Sequence, residues 1–235
     1  LGFTDFDREG VLVEGFDQMA TMSTTYNYPY YIEHLARLGF EKELGWIEMR
    51  LKVPEKAADR HIRMCEAVLK RYKLHVVHYG RARDLCRKYG EAFFSLINEG
   101  YSDLAGFSEL TDAQKNLYIS KYLKFIDRRM VCLIANEEGR LIAGGVSMPS
   151  LSVALQKSHG RLFPLGWWHI LRALFWKYPD TIDMLLVAVT KEYRNKGITA
   201  IMIGEVLPNY IKMGFKWGET TLELENNNNI QAMWE

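Results

Sequence analysis

At 235 residues with 48% of them apolar, the chain is long enough to bury a sizeable core as one large domain or two small ones. It carries 30 Lys and Arg against 29 Asp and Glu, and a formal net charge of +1 argues against nucleic acid as a partner. Cys65, Cys86 and Cys132 are far apart and odd in number, which reads as reduced thiols in a cytoplasmic protein. No Cys/His cluster has metal-ligand spacing, and His75 and His78, three apart in a strand-like run, point to opposite faces. No apolar run is long enough to span a bilayer, and no signal peptide is expected. The chain starts without Met and stops at Glu235 inside a helical pattern, so a fragment of something longer is expected.

In chain order, residues 11–16 read as a strand ending near Gly15. Pro29 suits the first turn of a helix with Ile32, Leu35 and Leu38 on one stripe and Gly39 as C-cap. Residues 40–51 alternate like a strand, and Pro54 closes this unit. Residues 55–72 give a linking helix, with Ile62, Cys65, Val68, Leu69 and Tyr72 at helical spacing. A strand begins at Leu74, and residues 83–101 form an amphipathic helix through Leu85, Tyr89, Phe93, Leu96 and Ile97. Thr111 and Gln114 make a capping box for a helix running to about Ile126. Residues 130–135 and 141–147 are antiparallel strands joined by a hairpin turn over 136–139.

The stretch 149–181 is an insertion that is apolar almost all round if helical. Three readings are open for it: a helix buried between two halves, a wall or lid of an apolar pocket, or an interfacial membrane anchor. Residues 184–189 form a continuous apolar strand, followed by the basic turn 191–197 and a helix with Ile198, Ile201 and Met202 on one side. Strand, glycine-containing basic turn and helix together receive phosphate, because the first amides of a helix lack internal partners and the helix dipole is positive there. Gly197 admits close approach, Arg194 and Lys196 add charge, and a Walker A loop is absent. Pro208 is expected to kink or end the helix near Leu207. Residues 217–225 complete the pattern as a strand with Glu223 and Glu225 on one face.

Arg194-x-x-Gly197-x-Thr199, with Ala200 one step later, resembles the Arg/Gln-x-x-Gly-x-Gly/Ala coenzyme signature of the GCN5-related N-acetyltransferases. The order of elements over 74–235 is similar to one domain of that family. Asn27, Leu35, Leu38, Gly39 and Phe40 resemble a domain's last helix and strand. The resemblance implies an α/β fold of mixed α+β type: a central mixed, mostly antiparallel, twisted sheet flanked by helices. It implies a tandem layout: residues 1–54 as the remnant of a first domain, 55–73 as a linking helix, and 74–235 as the acyl-CoA-binding domain. It further implies acyl transfer from acetyl-CoA or another acyl-CoA to an amine on a small molecule or peptide. Val187, Ala188 and Val189 would offer backbone N–H groups, and Arg194, Asn195, Lys196, Gly197, Ile198, Thr199 and Ala200 would cradle the pyrophosphate. Glu223 and Glu225 would serve as base. The family's usual tyrosine acid is replaced by Trp234, which leaves a catalytically impaired coenzyme- or partner-binding module as the alternative.

Overall fold

The computed structural model describes residues 10–104, 106–121, 126–227 and 231. Its elements are α1 (Tyr30–Arg37), β1 (Trp46–Ile47), β2 (Arg50–Lys52), α2 (Asp59–Tyr72), β3 (His75–Val76), α3 (Ala82–Tyr101) and α4 (Asp112–Lys121). There follow β4 (Val131–Ala135), β5 (Leu141–Pro149), α5 (Ser152–Lys157), α6 (Gly166–Phe175), β6 (Thr181–Val189), α7 (Ile198–Met213), β7 (Trp217–Thr220) and β8 (Glu223–Leu224). Six strands make one mixed sheet in the order β2-β7-β6-β5-β4-β3. Its neighbours are antiparallel except β6 and β7, which run parallel. β1 and β8 form a separate two-stranded ladder.

The core has two faces. On one, Phe93, Phe94, Leu96 and Ile97 of α3 pack on Leu133, Val146 and Ala188. On the other, Ile198, Ile201 and Met202 of α7 pack on Cys132, Ile134 and Ala143, with Cys65, Val68, Leu69 and Tyr72 of α2 alongside. Burying one such aliphatic side chain is worth about 1.5–3 kcal/mol. Two adjacent glycines in β5 set the spacing. A Cβ at Gly144 would meet Phe93 and Leu133 at 2.9 Å, and one at Gly145 would meet Met202 at 2.7 Å, so both helix layers close onto bare backbone.

Several sequence expectations are realised in detail. Thr111 and Gln114 close the capping box reciprocally, Gln114 N–H donating to Thr111 Oγ1 at 3.3 Å and Thr111 N–H to Gln114 Oε1 at 2.9 Å. Others are corrected. Residues 11–16 form no strand; Val13 is exposed, and the Leu12 amide bonds the Asn27 side chain. The single strand expected over 40–51 is split into β1 and β2, and that over 217–225 into β7 and β8. The breaks coincide, because the Met49 amide is taken by Thr220 Oγ1 and the Thr220 amide by the Met49 carbonyl. α7 runs through Pro208 to Met213. Its last turn is anchored from outside, by Asn209 bonding the Arg129 carbonyl and by buried Tyr210, which offsets the hydrogen bond that proline omits. The α6 helix is not buried: only Gly166 and Leu174 are, while Trp167, Trp168 and Phe175 are exposed. β2 pairs with β7, so the segment preceding residue 54 contributes an edge strand to the same sheet as the segment following it.

Candidate active site

β6 changes which way its side chains face partway along. Ile182 packs with Tyr210 and Phe215 on the α7 side. Further on, Leu186 and Ala188 join the α3 side, while Val187 and Val189 face α7. The register explains the switch: Ser147 opposes Met184 and Val146 opposes Leu186, so Leu185 is an extra residue, a β-bulge. Pairing with β7 ends at the same place, with Met184 opposite Thr220. Beyond it the two parallel strands separate, with Thr221 Oγ1 still donating to the Leu185 carbonyl at 3.3 Å. Into the opening runs a largely apolar cavity of about 530 Å³, lined among others by Leu185, Val187, Thr199, Met202, Ser147 and Tyr210. Lys52, Lys56 and His61 also line it.

The turn after β6 ends in left-handed backbone at Asn195 (φ 59°) and Gly197 (φ 75°), the latter being the N-cap of α7. No side chain caps this helix, so its first amides point outward as donors. The turn's charged side chains have partners within the protein. Arg194 bonds the Gly100 carbonyl and Asp103, and Lys191 Nζ bonds Asp103 at 2.8 Å. Lys196 sits over the rings of Tyr72 and Tyr193, 5.3 and 4.9 Å from their centroids. Ile198 is buried, and the Ala200 carbonyl lies 2.9 Å from His61 Nε2. Of the ten residues expected at the coenzyme, Val187 and Thr199 line the cavity, Asn195 and Gly197 shape the turn, and Ala188 and Val189 pair with β5.

Three carboxylates converge on the opposite face of the sheet. Asp183 and Glu219 are paired across β6 and β7, and Arg50 of β2 faces Glu219 with its Nε 3.4 Å from the carboxylate. Glu48, between β1 and β2, accepts a hydrogen bond from Thr21 Oγ1 at 3.0 Å. Asp183 is 3% exposed and one of its oxygens has no hydrogen-bond partner. Burial, with the Glu219 charge adding, pushes its carboxyl up to about 6 despite the opposing Ser150 hydrogen bond. Burial raises Glu48 to about 7, against the Thr21 hydrogen bond and with Glu219 and Asp183 adding. Burial also raises Glu219, partly offset by Arg50. Such a cluster accepts protons near neutrality and attracts a cation.

Sequence reasoning placed the base at Glu223, Glu225 or both. Glu223 lines the cavity. Glu225 is outside it, with Lys42 Nζ 2.7 and 3.0 Å from its two oxygens. Asp183 was not singled out in the sequence, although it is the only charge in the strand 181–189. Trp234, expected at the acid's position, lies outside the described residues. No group of His, Cys, Asp and Glu among the described residues is arranged to hold a metal ion, and none of the described helices is long and apolar enough to cross a membrane.

No protein-family model matches the chain. Protein YghO of Escherichia coli K12 is 24% identical over 233 residues, covering 96% of this chain and 58% of that protein. Among solved structures, a GCN5-related N-acetyltransferase from Sphaerobacter thermophilus superposes with a TM-score of 0.52 at 10% identity, over 91% of this chain and 53% of that one. Diaminobutyrate acetyltransferase EctA from Paenibacillus lautus, solved with its substrate and coenzyme A, matches at a TM-score of 0.38 and 18% identity, over 67% of this chain and 70% of that one. The chain thus spans little more than half the length of YghO and of the Sphaerobacter protein.

Proposed function

We propose that this chain, which has the fold of the GCN5-related N-acetyltransferases, is an acyl-CoA-dependent N-acyltransferase. The observation that carries the reading is the gap between parallel β6 and β7 beyond Met184, opening beside the uncapped start of α7. The residues present suit an acyl-CoA. The α7 amides and the αL backbone at Asn195 and Gly197 match a pyrophosphate, Lys52 and Lys56 add positive charge, and the apolar cavity suits a pantetheine arm. The bound thioester would supply an activated acyl group. The chain's own part is to align the free edge of β6 beyond the bulge and to receive the proton that the acceptor amine loses.

Asp183 and Glu48 are the proton acceptors in this reading, and burial, with the Glu219 charge adding, keeps their affinity for protons high. The amine nitrogen forms its bond to the acyl carbon, the carbon–sulfur bond breaks, and the sulfur leaves as thiolate. Glu223, on the cavity side, remains a second base candidate. The tandem layout belongs to the same proposal: residues 1–54 would be the end of a first unit that lends β2 to the sheet of 74–235.

Thermal shift with acetyl-CoA, free CoA and longer acyl-CoAs tests the reading. A ligand at 100 times its Kd adds about 2.7 kcal/mol, roughly 5–10 °C in Tm for a chain of this size. Gly197→Asp puts a like charge under the pyrophosphate and is expected to abolish the shift. A shift that survives it, or none with any coenzyme, would sink the proposal.

A further inference from the structure

We infer that the α5–α6 insertion is a membrane-docking surface for bilayers bearing anionic lipid. Two observations on the same face carry this. First, the insertion presents apolar side chains to solvent: Phe163 is 78% exposed, Leu165 64% and Trp176 64%, with Trp167, Trp168 and Phe175 exposed beside them. Four of them form a continuous patch, since Trp168 lies 6.0 Å from Trp167 and 5.3 Å from Trp176 between ring centroids, and Trp176 6.5 Å from Phe175. Exposed tryptophans grouped in this way suit the bilayer interface, where an amphipathic indole has both an apolar and a wet side. The Trp167 indole N–H already donates to the Pro164 carbonyl at 2.9 Å, so its ring enters an apolar layer without an unpaired donor.

Second, the charge of this segment is one-sided. Residues 149–179 contain Lys157, Arg161, Arg172 and Lys177 and no Asp or Glu, in a chain whose net charge is only +1. Beside the aromatic patch is an open recess of about 540 Å³, lined by Lys157, His159, Arg161, Phe163 and His169 among others. Cationic groups around a recess at the edge of an apolar patch match a phosphate-bearing headgroup with its acyl chains beneath. A second copy of the chain fits less well, because a two-fold contact would set the same four cations against themselves. The insertion joins β5 to β6 and projects at the rim of the sheet, so the chain can lie on a surface through this face without spanning it.

Flotation of the whole chain with vesicles of phosphatidylcholine and phosphatidylglycerol (3:1) in about 0.1 M salt tests the inference. The chain is expected to float with these vesicles, and much less with phosphatidylcholine alone or in about 0.5 M salt. Trp168→Ala with Trp176→Ala is expected to cut partitioning at least roughly tenfold. Arg161→Glu with Arg172→Glu should cut it roughly fivefold or more per cation lost. All four positions are exposed, so both variants are expected to fold, which their melting curves would verify. No flotation of the parent chain overturns the inference, as does flotation unchanged in both variants. A lipid-free dimer that the tryptophan variant converts to monomer, with no vesicle binding, would make the patch a protein interface instead.

Discussion

Replacing Asp183 with Asn is expected to stabilise the protein while removing activity. The side chain is 3% exposed, one carboxylate oxygen has no partner, and Glu219 lies beside it across the parallel pair. Its carboxyl therefore titrates at about 6, against 3.8 when unperturbed. That difference in proton affinity corresponds to about 3 kcal/mol. The folded protein holds this proton more tightly than the unfolded chain does. Wild-type stability is thus highest below the unfolded value, falls as pH rises from about 4 to about 6, and carries the full cost above that window. Asn has the same shape without the charge, so the variant lacks this decline. At pH 8 it should be more stable by up to about 3 kcal/mol, roughly 1 M in urea midpoint for an m-value near 3 kcal/mol/M. Near pH 3.5 the two proteins should converge. Urea titrations of both proteins at pH 3.5, 5, 6.5 and 8 test this. Parallel curves, or an Asn variant weaker at pH 8, would refute the account of a strained buried carboxylate.

Further predictions concern the same region. If Asp183 and Glu48 receive the acceptor's proton, initial rates at subsaturating amine should rise with pH through about 6 to 7 as both lose their protons, and Glu48→Gln should weaken that rise. The buried pair between Ser147 and Tyr210 should respond unequally to truncation. Ser147 Oγ donates to the Met130 carbonyl at 2.8 Å, so the Tyr210 hydroxyl, 2.6 Å away, donates to Ser147. Tyr210→Phe then leaves Ser147 paired and should cost about 1 kcal/mol, whereas Ser147→Ala strands two buried polar groups and should cost about 2 kcal/mol or more by chemical denaturation.

Periodicity identified the elements whose one face is buried. α3 and the β4–β5 hairpin were legible because their apolar spacing coincides with the face they bury, and the start of α7 because Gly197 sits where the backbone needs positive φ. The site was legible only in part, because a sequence gives the type of a charged residue and not its partner. Arg194 and Lys196 read as phosphate ligands, and no sequence pattern shows that Asp103, far away in the chain, pairs with the first or that two tyrosine rings lie under the second. Alternation also assigned Glu223 and Glu225 to one strand face. A break after Thr220, fixed by pairing with distant Met49, moved both out of the main sheet and into or beyond the β1–β8 ladder.

The bulge at Leu185 ties these points together. A regular β6 would put Met184 and Leu186 on one face and keep β7 alongside. One extra residue turns Leu186 toward α3, just where the pairing with β7 stops, and the cavity opens there between residues of both faces. The insertion follows a different logic. An apolar segment reads as buried when the pattern alone is considered, but α5 and α6 together fill the connection between the end of β5 and the start of β6, at the rim of the sheet. A ten-residue helix anchored there can seal only one edge, which Gly166 and Leu174 do, so its remaining aromatic residues must face outward.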